Sequence, residues 1–133
     1  NIQIDLRAEM RTFEYSQRLK HQARAVLASE TKSTGRVLHE QANNSSAKAL
    51  GRKSGKIALG YYADIAELPI GNPDLESLPN DMALDAWIFG SNSAAIENLW
   101  SAGRHIVKNK THIKRDKIKE NYMRTIKKIR SNI

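Results

Sequence analysis

The sequence predicts an α+β fold in which two helices come first, short antiparallel strands follow, and a basic helix ends the chain. Three observations support this prediction. Apolar residues recur every three or four positions over the first 50 residues, which is the spacing of amphipathic helices. Short apolar runs interrupted by glycine and proline fill the middle of the chain, as in strands joined by turns. After residue 114, isoleucines recur at helical spacing among lysines and arginines.

Two helices are predicted at the start of the chain, over residues 5–29 and 35–50. Apolar side chains recur on one face of each, with charged and amide side chains between them. Asp5 can cap the amino end of the first helix. Glu14 lies four residues before Arg18, which is the spacing of a stabilising ion pair on a helix. Helices therefore precede any segment with the pattern of a strand.

The middle of the chain predicts two short strands and one short helix. Apolar runs at residues 56–58 and 63–68 are separated by Gly60, so we expect two strands joined by a turn. Polar loop residues follow these runs. Asp81 can cap a short helix over residues 82–89, which a glycine ends.

A hairpin and a helix complete the predicted fold. Strands are expected at residues 96–100 and 105–108, with the turn at residues 101–104. After Lys114, Asp116 can cap a final helix. The apolar stripe of that helix consists of Ile118, Tyr122, Ile126, Ile129 and Ile133.

Composition excludes several kinds of site. The chain has no cysteine, so it forms no disulfide and offers no thiolate as metal ligand or nucleophile. Its apolar runs are far shorter than the roughly 20 residues that cross a bilayer. The chain does not open with a basic region followed by an apolar stretch, the pattern of a secretion signal, so we expect a cytoplasmic location.

Charge is distributed unevenly along the chain, whose net charge is +8. Half of the 22 lysine and arginine residues lie between Arg104 and Arg130, whereas residues 63–97 are acidic on balance. The final helix could therefore lie on nucleic acid or on an anionic membrane. Its apolar stripe is narrow and has no Trp or Phe, which favours a helix docked on protein with its basic face in solvent. The basic side chains of this helix include Lys114, Lys117, Lys119, Arg124, Lys127, Lys128 and Arg130.

No autonomous active site is predicted. The four histidines are His21, His39, His105 and His112, and none has another at the spacing of a His-x-His or zincin pair. His39 and Glu40 are adjacent on a helix and point about 100° apart, so they do not converge on one ion. Asp64 and Glu67 fall on opposite sides of the predicted strand, which excludes an acid and base pair. Two tryptophans, Trp87 and Trp100, have apolar neighbours and are expected in the core.

Two segments resemble the carboxy-terminal region of the amidohydrolase superfamily. Residues 55–68, GKIALGYYADIAEL, resemble its Gly-x-Ile-x-x-Gly-x-x-Ala-Asp run, which builds strands of a small β-sandwich beside a TIM-type barrel. Residues 96–112, IENLWSAGRHIVKNKTH, resemble its closing hairpin. The family usually has Val-Val-Leu-Asp after Ala-Asp, whereas this chain has Ile-Ala-Glu-Leu, so the end of that strand is expected to differ.

Two other segments resemble one branch, the formimidoylglutamate deiminases. Residues 7–19, RAEMRTFEYSQRL, are similar to their Glu-Glu-Leu-Arg-x-Leu-Glu-Tyr-x-Gln-Arg-Leu helix. Residues 83–90, ALDAWIFG, are similar to their Leu-Asp-x-hydrophobic-Phe-Gly segment. The resemblance implies an enzyme in which zinc or another divalent metal activates water against N-formimino-L-glutamate, releasing ammonia and N-formyl-L-glutamate.

The resemblance also implies how this chain relates to the whole enzyme. The metal ligands of the family would all precede Asn1, so no catalytic, cofactor-binding or metal-binding residue is assigned to this chain. The expected regions are the final barrel helices at 1–52, a β-sandwich portion at 53–113 and the basic helix at 114–133. A TIM barrel needs roughly 250 residues, so the 133 here would be a carboxy-terminal fragment, inactive alone.

Three hypotheses follow about the partners of this chain. The first is a fragment whose partner is the remainder of the parent enzyme, with self-association through free strand edges and the apolar face of the first helix. The second is a basic module, centred on residues 113–133, that binds nucleic acid or an anionic membrane. The third is a complementing subunit that completes a barrel supplied by another chain.

Overall fold

The computed structural model describes residues 4–90 and 96–131. Four α-helices, one π-helical turn and one four-stranded sheet are present in this part of the chain. In chain order the elements are α1 (Leu6–His21), α2 (Thr34–Ala49), β1 (Ile65–Glu67), α3 (Met82–Asp85), the π-helical turn (Ala86–Gly90), β2 (Asn98–Ser101), β3 (Arg104–Lys108), β4 (Thr111–His112) and α4 (Arg115–Arg130). The mixture of helices with an antiparallel sheet confirms the predicted α+β class.

Helix α1 is shorter than predicted. Asp5 caps it as expected, because its carboxylate accepts from the backbone N–H groups of Arg7 and Ala8. The helix ends at His21 rather than at residue 29, and Gln22 adopts a left-handed conformation with φ of 50°. A left-handed residue at this position is a common way to end a helix. Leu27, beyond the end of this helix, packs onto the core from a loop.

Helix α2 matches the prediction to within one residue at each end. Ser33 caps it, through a hydrogen bond from Arg36 N–H to the serine hydroxyl. The first turn of α2 approaches α3 so closely that a Cβ on Gly35 would lie 2.8 Å from the backbone nitrogen of Asp85. The Gly35 N–H donates to the Asp85 carboxylate at 2.7 Å, so glycine at this position permits the contact.

Residues 56–58 are not a strand, so that prediction was wrong. The chain turns at Gly55 and Gly60, both at positive φ, and the Tyr62 N–H donates to the Lys53 carbonyl instead of to a neighbouring strand. Ile57 in this loop is 84% exposed. Apolar spacing alone suggested a strand here, but a strand also needs a partner, and none lies beside these residues among those described.

The sheet is antiparallel in the order β1-β2-β3-β4. The predicted strand at 63–68 forms only over Ile65–Glu67, and the predicted hairpin is confirmed as β2 and β3 around a turn at Ala102 and Gly103. Strand β4 was not predicted, because two residues give no readable alternation. Among the described residues, strand β1 lies at one edge of this sheet and pairs with β2.

One predicted helix cap was wrong, and another occupies its position without a capping bond. Asp81 holds the amino-cap position of α3 as predicted, but its carboxylate makes no capping hydrogen bond and accepts from Arg36 Nη1 at 3.3 Å instead. Asp116 lies inside the first turn of α4, where the capping position belongs to Lys114. A negative charge in the first turn still favours the helix through its interaction with the helix dipole. Ile133, the last predicted residue of the α4 stripe, lies outside the described residues.

A small core lies between α1, α2 and the π-helical turn. Met10, Leu38, Trp87 and Ile88 are buried, and Ile88 is fully inaccessible. Partly buried apolar side chains surround them: Leu27, Ala42, Leu68, Leu75, Leu84, Phe89 and Ile96. The prediction that Trp87 lies in the core is confirmed. The division of the chain into regions at residues 52 and 113 stays a prediction.

Candidate functional site

Two arginines attach α1 to the π-helical turn. Arg7 Nη1 donates to the Trp87 carbonyl at 3.3 Å, and Arg11 Nε donates to the Ile88 carbonyl at 3.0 Å. Arg7 also lies over the Trp87 ring. A π-helical turn departs from regular α-helical hydrogen bonding, so side-chain donors that reach its carbonyls help to hold it in place. The contact therefore fixes α1 against the segment that carries the buried Ile88.

A buried carboxylate joins α1 to the loop that follows it. Glu14 is fully inaccessible, and it accepts hydrogen bonds from Arg18 Nε at 2.7 Å and from the backbone N–H groups of Val26 at 3.1 Å and Leu27 at 3.2 Å. The predicted pair with Arg18 is confirmed. Sequence reasoning missed the two backbone contacts. The available signal was a charged residue four positions after Met10, on the apolar face of the helix.

A second carboxylate joins the end of α2 to the hairpin. Asp64 accepts from Arg52 through both of its oxygens, at 3.0 Å each, and from the Ala102 N–H at 2.7 Å. The Ala102 hydrogen bond and then the Arg52 guanidinium lower the pKa of Asp64 below its ordinary value. The Arg52 guanidinium also stacks on Tyr62, 4.3 Å from the ring centre. Asp64 thus ties the β2–β3 turn to the loop after α2.

An open groove of about 830 Å³ lies between α2 and the sheet. One wall carries Arg36, His39, Glu40 and Asn43 from α2, and apolar side chains of the sheet form the other. Other residues that line the groove include Leu50, Ile57, Asp64, Ile65, Leu99, Trp100 and Ile106. Trp100 therefore faces a groove and is only partly buried, whereas the sequence predicted it in the core.

Charged groups on the α2 side of the groove are already paired. Glu40 accepts hydrogen bonds from Lys32 and Arg36, and these lower the pKa of its carboxyl. Burial lowers the pKa of His39, and the positive charge of Arg36 acts in the same direction. The His39 ring meets the Trp87 ring edge to face, at 6.2 Å between centroids. His39 is therefore held mainly neutral against the core.

The structure places the four histidines in separate surroundings. His21 ends α1 in solvent, and His39 lies in α2. His105 on β3 stacks on Trp100 at 4.4 Å and contacts the Asn98 side chain, while His112 on β4 accepts from the Lys114 N–H. Within residues 4–90 and 96–131, no three His, Asp or Glu side chains are grouped to hold a metal ion. These residues do not fit the divalent metal that the resemblance implies.

Asp64 and Glu67 have different partners. Asp64 binds Arg52 and the hairpin turn, whereas Glu67 accepts from the Asn98 side chain at 2.6 Å across the β1–β2 pair.

No helix of the described residues is long and apolar enough to cross a bilayer. The prediction that this chain contains no catalytic, cofactor or metal residue stays a prediction.

Comparison with known proteins places these features in a family. No family model matches the sequence. The formimidoylglutamate deiminase of Pseudomonas aeruginosa is 31% identical over 113 residues, which cover 84% of this chain and 25% of that protein. The structure matches the crystal structure of an amidohydrolase from Brucella melitensis with a TM-score of 0.83 and 33% identity, covering 96% of this chain and 28% of that one. The chain belongs to the amidohydrolase superfamily.

Relatives from a second branch of the amidohydrolases are also similar to this chain. The 5-methylthioadenosine/S-adenosylhomocysteine deaminases of Pyrococcus abyssi and Pyrococcus furiosus are 31% and 30% identical over 107 residues, which is 80% of this chain. This amidohydrolase chain spans about a quarter of the length of the curated relatives it matches, and the matches lie in their carboxy-terminal part. The superfamily resemblance expected from residues 55–68 and 96–112 is confirmed.

Proposed function

We propose that this chain forms the carboxy-terminal part of a formimidoylglutamate deiminase, which hydrolyses N-formimino-L-glutamate to N-formyl-L-glutamate and ammonia. The observation that carries the proposal is a contact between distant segments. Residues 7–19 and 83–90 are the two segments that resemble this branch, and they pack on each other through Arg7, Arg11 and the stacked rings of Tyr15 and Phe89. The similar protein from Pseudomonas aeruginosa is named formimidoylglutamate deiminase.

In this proposal the chain supports a catalytic centre that the remainder of the enzyme supplies. Zinc or another divalent metal would be held by residues outside this chain and would activate the attacking water. The remainder would also cover apolar side chains that are exposed here, such as Leu19 at 82%, Ile57 at 84% and Leu59 at 101%. A cytoplasmic location and inactivity of the isolated chain belong to the same proposal.

Three other candidate functions are weaker. The Pyrococcus deaminases support hydrolysis of a nucleoside derivative by the whole protein, with this chain in the same supporting position. A complementing subunit of a split hydrolase would use the same exposed surfaces with a separate partner chain. A nucleic-acid or membrane module would use α4 alone, and it would leave unexplained the likeness that extends over most of the chain.

A pair of chimeras tests the branch. This chain replaces the corresponding carboxy-terminal quarter of the Pseudomonas aeruginosa formimidoylglutamate deiminase in one chimera and of the Pyrococcus abyssi deaminase in the other. Ammonia release is measured with N-formimino-L-glutamate for the first and 5-methylthioadenosine for the second. The proposal predicts that the first chimera keeps a larger share of its parent's kcat/KM. An equal or larger share in the second would contradict it.

A further inference from the structure

Another cavity, of about 410 Å³, opens between α1, the first turn of α2 and the π-helical turn. Arg18 and Asp85 line it with opposite charges, and the rings of Tyr15 and Phe89 form part of its apolar wall. The two rings stack with 6.1 Å between their centroids. Small-molecule sites in proteins combine an apolar lining with a few polar groups in a volume of this order. The cavity thus has the size and the mixed lining of such a site.

Arg18 presents hydrogen-bond donors to this cavity. Its Nε donates to Glu14 at 2.7 Å, and its guanidinium lies over the rings of Tyr15 and Phe89, at 5.3 Å and 5.6 Å from their centroids. Neither Nη nitrogen makes a hydrogen bond with a described residue. The Glu14 bond and the two rings restrict the guanidinium, so the Nη donors can bind a second carboxylate without a change of rotamer. Arg18 is therefore a positioned anion-binding group.

Asp85 supplies the opposite charge. Its Oδ1 accepts from the Gly35 N–H at 2.7 Å, and within the described ranges neither of its oxygens forms an ion pair. Arg18 and Asp85 line the same cavity, but they are too far apart to pair with each other. A carboxylate that has no countercharge in a partly buried site favours a bound cation. The cavity therefore holds two separated charges of opposite sign.

Thr34 adds a polar group that has no partner in the described part of the chain. Only 6% of this residue is exposed, and its hydroxyl makes no hydrogen bond there. Among the described residues every fully buried side-chain oxygen has a hydrogen-bond partner, so the Thr34 hydroxyl keeps contact with accessible space. That space is the cavity, which Thr34 lines. A hydroxyl in this position can donate to a carboxylate or accept from an ammonium group.

We propose that this cavity binds the zwitterionic head of a free α-amino acid with an apolar side chain. The carboxylate binds the Nη donors of Arg18, the ammonium group binds Asp85, and the Thr34 hydroxyl bonds to the head group. The side chain lies against the rings of Tyr15 and Phe89. A ligand with negative charge alone would face Asp85, and one with positive charge alone would face Arg18, so a molecule that carries both charges fits best. The site does not depend on which substrate the whole enzyme hydrolyses.

Binding to the 133-residue chain is measured by NMR, with L-leucine as the probe. The cavity is open to solvent, since Tyr15 is 43% exposed, so we expect a Kd of about 1 mM. The amide signals of Ala28 and Thr34 should shift and saturate, whereas those of α4 should not. N-acetyl-L-leucine lacks the ammonium group and L-leucinamide lacks the carboxylate. Each should bind at least about tenfold more weakly, because it loses a hydrogen bond between charged groups.

Two near-isosteric variants locate the site. Asp85→Asn keeps an oxygen for the Gly35 N–H and turns an amide N–H toward the ammonium group, so it should weaken L-leucine binding at least about tenfold. Thr34→Val removes only the hydroxyl and should weaken binding about threefold or more. The control is Asp81→Asn, the same substitution at a residue that does not line the cavity, and it should keep Kd within about twofold.

Three results would overturn the proposal. The first is the absence of saturable shifts with L-leucine. The second is equal binding of either blocked derivative. The third is a folded Asp85→Asn variant that binds L-leucine as well as Asp81→Asn does. The derivatives are compared in the unmodified chain, so the first two results are decisive even if a variant does not fold.

Discussion

Replacing Glu14 with alanine removes the carboxylate that holds the loop after α1 in place. Three donors lose their acceptor: Arg18 Nε and the backbone N–H groups of Val26 and Leu27. A donor left buried without a partner costs about 1–3 kcal/mol, and removing one partner of a buried ion pair costs about 3–5 kcal/mol. Arg18 is partly exposed and can turn to solvent, so we expect a total loss of about 4 kcal/mol.

Thermal unfolding measures this loss. An unfolding entropy of about 2.1 cal/mol/K per residue gives about 0.28 kcal/mol/K for 133 residues. A destabilisation of about 4 kcal/mol then lowers Tm by about 14 °C. The effect should also be local. In the variant, the exchange of the Val26 and Leu27 amides with solvent should speed up more, relative to the unmodified chain, than the exchange of the α2 amides.

The control is Glu30→Ala, which removes an exposed carboxylate from the same loop. It should change Tm by no more than about 2 °C, as exposed substitutions usually do. A Glu14→Ala variant that melts within about 3 °C of the unmodified chain, with both amides still protected, would contradict this prediction. The Glu14 carboxylate would then be a surface pair with Arg18 and would not hold the loop.

Two further predictions concern the Asp64 contact and the core. Because the folded state depresses the Asp64 pKa below 3.8, the carboxylate stabilises the fold above that pH and loses its effect as pH falls through the folded-state value. Urea titrations measure how much Asp64→Asn lowers the free energy of unfolding. This loss should be largest near neutral pH and should shrink as the pH falls. A loss that is constant with pH would contradict the prediction. Ile88→Ala should cost about 2–5 kcal/mol, because this fully buried side chain leaves a cavity, whereas Ile57→Ala at an exposed position should cost under about 1 kcal/mol.

Local sequence signals predicted elements whose causes are local. The structure contains helix α1, its cap at Asp5 and the turn of the β2–β3 hairpin. Each of these features depends on residues only a few positions apart. The strand expected at 56–58 failed because its pairing depends on a neighbour that no local pattern records. Asp81 and Asp116 were read as caps from their positions alone. For Asp81, the long-range contact with Arg36 competes with capping.

The functional features divide in the same way. Sequence showed the family resemblance of residues 55–68, but not that Asp64 reaches both Arg52 and the Ala102 N–H, because residues 38 positions apart meet only after the hairpin forms. The sequence also indicated an ion pair between Glu14 and Arg18 on the helix surface. In the structure Glu14 is buried and holds the loop after α1. The groove beside α2 could not be predicted, since it exists only between elements that are separate in sequence.

Ammonia release from N-formimino-L-glutamate, measured with the isolated 133-residue chain in the presence of added Zn²⁺, tests whether this chain needs the remainder of the enzyme for activity. The positive control is the chimera in which this chain completes the Pseudomonas aeruginosa formimidoylglutamate deiminase. We expect no release above buffer from the isolated chain and turnover by the chimera, because in the proposed function the chain supports a metal centre whose ligands other residues supply. Zinc-dependent turnover by the isolated chain would contradict it.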